Sequence, residues 1–197
     1  KAASSAKRAI ASARHESAES PHALATALSN CSYVFQCLGD VESVYACAAE
    51  LIEHARKHGE LMYLKRGFMT RKWADFVSGV EDQSIEAIRD HIDLLLESKE
   101  EIEVTFHLGV LADLQIRKGR YREAVAAIEQ ALEIAHKNNE LFYMSELYRL
   151  KAHVYDVGPE TLSSGDDVDY IALAKATAKA QSAKAWLDKL AIMSNRQ

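Results

Sequence analysis

Apolar residues along this chain recur every three or four positions rather than alternating, which is the spacing of one buried face of an α-helix. One such stripe runs through Tyr121, Ala124, Val125, Ile128, Ala131, Leu132 and Ala135. Others run through Val41, Val44, Tyr45, Ala48, Leu51, Ile52 and Ala55, and through Ile85, Ile88, Ile92 and Leu95. The pattern predicts ten helices, near residues 2–18, 22–37, 41–57, 60–77, 83–98, 101–117, 121–137, 140–156, 168–180 and 182–195.

Glycines divide the chain into regular units. They stand at Gly39, Gly79, Gly119 and Gly158, at intervals of 40, 40 and 39 residues, and residues 46–63 align with residues 126–143 at an offset of 80. Each period holds two predicted helices, and one such pair cannot bury its apolar face alone, so pairs must stack. The sequence predicts an all-α fold, an α-solenoid of antiparallel helix pairs, with residues 1–197 as a single superhelical domain.

Residues typical of helix ends and loops support this division into helices. Ser20 and Pro21 are typical of a helix start, with proline at the first helical position. Asp40, Asp82 and Asn139 are predicted to cap the helices that follow them. The glycine-, serine- and aspartate-rich stretch 158–168 predicts a long, mobile polar loop. The first residue is Lys1 rather than methionine, which indicates a piece of a longer protein.

Composition and charge narrow the function classes. The chain has 31 alanines among 197 residues and only eight glycines and two prolines, which favours helices. Its net charge of −5 argues against direct nucleic-acid binding, which needs a basic surface. No apolar run approaches the roughly 20 residues of a membrane span, so we expect no membrane partner. Three cysteines without a secretory signal predict a reduced, cytoplasmic protein.

The stretch Leu108 to Ala135 resembles the tetratricopeptide repeat. In that family's register Leu108 takes the large apolar position and Leu111 and Ala112 the leucine and small-residue pair. Gly119, Tyr121, Ala124, Ala131 and Leu132 follow in order. The other units depart from the pattern, and the period of about 40 exceeds the family's usual 34. The resemblance implies a helix-pair superhelix whose concave surface binds a partner.

Residues 145–151 follow directly after an ALEIA-type helix end. Together with the long period, this segment is similar to the C-terminal repeat region of bacterial STAND-type signalling ATPases with adenylate-cyclase-like or winged-helix output domains. The similarity covers residues 22–156, and Lys151-Ala152 departs from the group's Lys-Gly pair. It implies a role in signal transduction or transcription regulation. The phosphate-binding loop and output domain of that group lie upstream of its repeats, so their activity does not transfer to this chain.

Three weak signals of site chemistry each have a plainer structural interpretation. His54 and His58 lie four residues apart on one helix face, but zinc needs a third ligand; the alternative is two solvated histidines. Cys31, Cys37 and Cys47 form no CxxC motif and are expected to pack as small apolar side chains. The sequence Asp166-Asp167-Val168-Asp169 lacks the glycine and distal glutamate of a calcium loop, which favours helix capping. We therefore predict no metal, no cofactor and no catalytic residue.

Charge is segregated along the chain. Residues 81–103 carry nine acidic and two basic residues, whereas residues 54–72 carry six basic and one acidic residue. Such segments are usually solvated helix faces. The alternative is a charged docking surface that steers a partner.

In the tetratricopeptide register, the first helix of each pair lines the groove. The inward positions implied by that register are Arg66, Met69, Trp73 and Phe76, then Phe106, Asp113 and Arg117, and finally Ser145 and Tyr148, with a one-residue uncertainty in the last unit. Tyrosine, tryptophan and arginine are enriched at binding hot spots. The alternative for Trp73, Phe76 and Phe106 is packing between helices.

These observations predict a non-catalytic interaction or sensor module of a larger bacterial signalling protein. Its partner would be a protein or peptide, including the ATPase domain of its own parent protein. The alternative is a small-molecule receptor, in which the same groove closes around a metabolite. A deep pocket with convergent polar groups would favour the metabolite, and a long open channel the peptide.

Overall fold

The computed structural model describes residues 1–17, 19–80, 84–97, 99, 103–159, 162 and 168–194. The described residues form α-helices and no strand. The ten helices are α1 (Ala2–Glu16), α2 (Pro21–Leu38), α3 (Val41–His58), α4 (Leu61–Val77), α5 (Ser84–Glu97), α6 (Val104–Arg117), α7 (Tyr121–Asn138), α8 (Met144–Val157), α9 (Tyr170–Ala180) and α10 (Lys184–Ser194). The predicted fold class is confirmed, with each helix within a few residues of its predicted bounds.

The chain divides into two compact units, Lys1–Ala87 and Ile88–Gln197, with the division inside α5. In the first unit each of α1 to α4 packs on its sequence neighbour, and α2 also contacts α4. In the second unit α6 to α10 pack in the same sequential way, and α8 also contacts α6 and α10. Each unit is therefore two layers of paired helices, as in an α-solenoid: α2 and α4 against α1 and α3, and α6, α8 and α10 against α7 and α9.

The apolar stripes form the core of each unit. Val44, Ala48, Leu51 and Ala55 of α3 are fully buried, as are Ala124, Ile128, Ala131 and Ala135 of α7, and Ile85, Ile88 and Ile92 of α5. Full burial of a leucine or isoleucine side chain contributes about 1.5–3 kcal/mol. Burial of these stripes, rather than helix propensity alone, therefore holds the pairs together.

Glycines end several helices in the left-handed conformation that they adopt without strain. Gly119 has φ 73°, and its neighbour Arg120 donates its backbone N–H to the carbonyl of Gln115 at 2.9 Å. This closes the C-terminus of α6 in the manner of a Schellman motif. Gly39 and Gly79 have the same conformation. Gly158 does not, with φ −79° and ψ 171°, so the fourth glycine of the period has another reason to be small: an added Cβ would meet the carbonyl oxygen of Val154.

The capping predictions had mixed outcomes. Asp40 accepts the Ser43 backbone N–H at 3.1 Å, and Pro21 stands at the first turn of α2, as predicted. Asn139 was wrongly placed: it ends α7 with φ 54° instead of starting α8, which begins at Met144. Asp82 and most of the predicted loop 158–168 lie outside the described residues.

Candidate functional site: a charged cluster on α6, α8 and α10

Charged side chains from three helices of one layer meet in the second unit. Helix α6 contributes Asp113 and Arg117, α8 contributes Glu146 and Arg149, and α10 contributes Lys189. We call these five residues the charged cluster. They converge because α8 packs against both α6 and α10, which places the exposed edges of the three helices side by side.

Glu146 is the centre of the charged cluster. Arg149 donates to both of its carboxylate oxygens, from Nε to Oε2 at 2.7 Å and from Nη2 to Oε1 at 2.9 Å. Lys189 donates to Oε1 at 3.1 Å. The side chain of Glu146 is only 5% exposed and that of Arg149 only 12%. A forked, two-point guanidinium–carboxylate contact fixes both side chains in one geometry.

The electrostatics of Glu146 and Arg149 favour the ionised pair. Burial alone would raise the pKa of Glu146, but Arg149 and Lys189 together outweigh it and leave that pKa below its usual value. Burial likewise opposes the charge on Arg149, yet the carboxylate of Glu146 leaves the Arg149 pKa raised. Both groups are therefore charged at neutral pH. Asp113 on the neighbouring helix also stabilises the Arg149 cation.

The outer part of the charged cluster is more accessible. Arg117 donates from Nε to Asp113 Oδ2 at 2.8 Å, and its side chain is 54% exposed. His153 lies beside these groups, and burial, then the Arg149 cation, lower its pKa. His153 is therefore neutral at pH 7, and the surface presents alternating fixed charges with one neutral imidazole.

An aromatic wall borders the charged cluster. Tyr143 packs edge-on against Phe106 and Trp186, with ring centroids 4.9 and 5.6 Å apart. Lys189 Nζ lies 4.7 Å from the centre of the Trp186 ring, a cation–π contact. Gly109 permits this packing, because an added Cβ would collide with the Tyr143 ring.

The groove residues predicted for the second unit do not all lie on one surface in the structure. Asp113 and Arg117 lie in the charged cluster, whereas Phe106 is almost fully buried. Ser145 is buried and donates to the carbonyl of Ala174 at 3.0 Å, and Tyr148 stacks on Tyr170 of α9. These last two therefore face the other layer.

Sequence reasoning missed Glu146 and Arg149 by one residue. The 39-residue spacing of Gly158 shifted the last unit to Ser145 and Tyr148. With a strict period of 40, Phe106 corresponds to Glu146 and Asp113 to His153. That spacing was the sequence signal that could have identified Glu146. No repeat spacing pointed to Lys189, because α10 follows the stretch 158–168, which interrupts the repeat.

The predicted groove residues of the first unit lie on α4. Met69 and Trp73 are buried, which favours the packing alternative for Trp73 and places Met69 in the core instead of at the predicted groove position. Phe76 is half-buried. Arg66 is also half-buried, with its guanidinium 5.4 Å from the Tyr63 ring centre.

The α2 and α4 layer carries a small polar group of its own. Thr26 donates its hydroxyl to the His22 carbonyl at 2.9 Å, so Tyr63 must donate to Thr26 across their 2.7 Å contact. His22 Nδ1 donates to Glu60 at 3.1 Å. The His22 side chain is 70% exposed, so this group is a surface feature rather than a buried network.

Other sequence signals have structural roles. His54 Nε2 lies 2.8 Å from the Pro21 carbonyl, and no group of three or more metal-ligating side chains occurs among the described residues. Asp169 accepts the Ala172 backbone N–H at 2.9 Å and so caps α9, whereas Asp166 and Asp167 lie outside the described part. Cys31 and Cys47 are buried and Cys37 is half-buried, all three unbridged.

The basic segment 54–72 is largely engaged within the chain. Arg56 lies over Phe68 at 5.5 Å, and Arg71 contacts Asp75 at 3.3 Å. These contacts fit the interpretation of a solvated helix face for this segment. The acidic segment falls partly on residues 81–83, 98 and 100–102, which lie outside the described range.

The fold and the charged cluster define an all-α protein of stacked helix pairs with a polar surface on one layer. Comparison with protein-family models, curated proteins and solved structures found no match. None of the described helices is long and apolar enough to cross a membrane.

Proposed function

We propose that this chain is a non-catalytic protein-interaction or regulatory sensor module of a larger bacterial signalling or transcription-regulating protein. Its partner, a protein or peptide segment, binds across the charged cluster. The observation that supports this most is the buried Glu146–Arg149 pair with the more accessible Lys189 beside it. The resemblance of residues 108–135 to a repeat family of binding modules supports the same proposal.

A contribution to folding stability does not by itself explain why the fold contains the charged cluster. Removing a carboxylate and a guanidinium from water costs several kcal/mol per ion, and well-packed apolar residues would often serve the fold equally well. Fixed charges of both signs are instead suited to selecting a partner, because like charges brought together cost several kcal/mol. The alternating signs from Asp113 to Lys189 favour a partner segment with complementary alternating charges.

The aromatic wall supports this surface from below rather than forming part of it, because Tyr143 and Trp186 are only 6% and 8% exposed. Trp186 and Tyr143 are rigid, and Lys189 is held over Trp186, so little side-chain entropy is lost when a partner binds. Binding would bias the parent protein between two arrangements by its differential affinity for them.

The test is affinity capture from a lysate of the source organism, read by mass spectrometry. The variant Arg117→Glu with Lys189→Gln reverses the most accessible cation of the charged cluster and neutralises the next, while a glutamine at position 189 can still donate a hydrogen bond to Glu146. The matched control is Lys184→Glu, whose side chain lies on the same helix and is 83% exposed. A protein retained by the parent chain and the control but lost from the double variant supports the proposal. Equal capture by all three contradicts it.

A second candidate function is a small-molecule receptor. The observation that favours it is a cavity of about 490 Å³ in the first unit, lined by both apolar and charged residues. This is within the size range of small-ligand sites. The cavity is separate from the predicted groove residues, so the two candidates can be tested independently.

A further inference from the structure

The cavity lies between α1 and α3, with α2 behind it. Helix α1 contributes Lys7, Ile10 and Arg14, helix α2 contributes Phe35, and the start and middle of α3 contribute Asp40, Glu42, Ser43, Ala46 and Cys47. The two walls belong to the same layer and are joined through α2, which packs on both. Its volume is about 490 Å³.

The floor of the cavity is apolar and rigid. Ile10, Phe35 and Cys47 are each at least nine-tenths buried. Two of the α3 side chains that line the cavity, Ser43 and Ala46, are small, which leaves space between the helices. A ligand with apolar side chains would cover this floor and gain about 25 cal/mol for each Å² removed from water.

The two walls carry opposite charge. Helix α1 supplies the cations Lys7 and Arg14, and the α3 side supplies the anions Asp40 and Glu42. The Ser43 hydroxyl and backbone N–H are the main causes of the lowered Asp40 pKa, and the Lys7 cation of the other wall lowers it further.

Arg14 can donate further hydrogen bonds to a ligand. It donates from Nε and Nη2 to Glu50 at 2.8 and 2.5 Å, which ties α1 to α3 beside the cavity. A guanidinium has five N–H donors, so three remain after this contact. The contact with Glu50 also fixes the position of the Arg14 guanidinium at the cavity rim.

We propose that this cavity binds a dipeptide with free termini and apolar side chains. This inference rests on the second candidate function and names its ligand class. The peptide carboxylate meets Lys7 and Arg14, the ammonium group meets Glu42 and Asp40, and the side chains lie on Ile10, Phe35 and Cys47. Two extended residues span about 7 Å, so the two termini of a dipeptide can contact separate charged groups while its side chains lie on the floor between them.

Other small ligands fit the charge pattern less well. A free amino acid has a single side chain and covers less of the apolar floor than a dipeptide does. A phosphate ester without an amino group could contact Lys7 and Arg14 but leaves Asp40 and Glu42 without a cation. A neutral sugar leaves the apolar floor uncovered. The dipeptide alone among these classes matches the floor and both walls.

The test is isothermal titration calorimetry of the full chain with L-leucyl-L-phenylalanine. Three matched probes are its N-acetylated form, its C-terminal amide, and glycylglycine, which lack the ammonium, the carboxylate and the apolar side chains respectively. We expect each to bind roughly tenfold more weakly or worse, since each loses a charge-assisted contact or the floor contact. No binding of the parent dipeptide, or equal binding of the capped forms, would overturn the proposal.

Variants locate the binding in the cavity. Ala46→Trp fills the cavity and should abolish binding, whereas Ala49→Trp, at an exposed α3 position outside the cavity lining, should leave it unchanged. Glu42→Lys should weaken binding at least tenfold without altering the core. Equal loss from both tryptophan variants would overturn the proposed location. Arg117→Glu with Lys189→Gln should still bind the dipeptide, so failure of the docking function and failure of this one are distinguishable.

Discussion

The space between α1 and α3 is open, whereas the space between α7 and α9 is filled. In the first unit Phe35 and small α3 side chains leave a cavity of about 490 Å³. In the second unit Lys151 lies with its Nζ 4.7 Å from the Tyr170 ring centre and 3.5 Å from Glu129. Tyr155 also packs on Tyr170. Phe35 and Tyr155 are three 40-residue periods apart, so they occupy the same position of the repeat.

The two units also differ in how they treat charge. In the second unit Glu146 is held by two cations in a nearly water-free position. A carboxylate contact in the α2 and α4 layer of the first unit, between His22 and Glu60, is open to solvent on the histidine side. The same helix-pair framework therefore supports an open cavity in one unit and buried ionic networks in the other. A few side chains at fixed repeat positions decide which of these two arrangements forms.

The largest effect is expected at Glu146. The substitution Glu146→Ala leaves the buried Arg149 without its anion and removes the acceptor of Lys189, so we expect a loss of about 3–5 kcal/mol. The matched change in the first unit, Glu60→Ala, should cost at most about 1 kcal/mol, because its histidine partner is exposed. Urea unfolding followed by circular dichroism measures both. Equal costs for the two variants would remove the contrast in charge burial between the units.

A smaller effect is expected at Lys151, which fills the space between α7 and α9. Lys151→Ala removes its aliphatic stem and its contact with Tyr170, for a loss of about 1–3 kcal/mol. Lys151→Met keeps most of the volume and should recover at least half of that loss. The exposed Lys179→Ala is the control and should change the free energy of unfolding by less than about 0.5 kcal/mol. If methionine is as damaging as alanine, charge rather than filling closes this space.

Much of the fold was predictable because helix periodicity is local. The stripes from Val41 to Ala55 and from Tyr121 to Ala135 report one buried face each, and glycine marks where α2 and α6 end. Asn139 was misassigned because asparagine suits both a helix start and a left-handed helix end. Only backbone geometry distinguishes the two.

The candidate site was less predictable because it depends on register between helices. Asp113 and Arg117 were identified, but a shift of one residue replaced Glu146 and Arg149 with Ser145 and Tyr148. On a helix that shift rotates a side chain by about 100°, enough to move it from one layer to the other. The cavity between α1 and α3 could not be predicted either, since it arises from the absence of large side chains at Ser43 and Ala46.

The smallest effect at neutral pH is expected at Cys47, on the floor of the open cavity. Burial, with smaller contributions from Cys31 and Glu50, raises the pKa of its thiol to about 11, against about 8.5 in an unfolded chain. A raised folded-state pKa means that the unfolded state loses its proton first, so stability is full below about pH 8.5 and falls as pH rises toward 11. Cys47→Ser should flatten this alkaline fall, whereas Cys37→Ser should keep it. Guanidinium unfolding at a series of pH values between those limits measures the slope. An unchanged slope in Cys47→Ser would mean that the thiol ionises as freely as in water and that the floor of the cavity is wet.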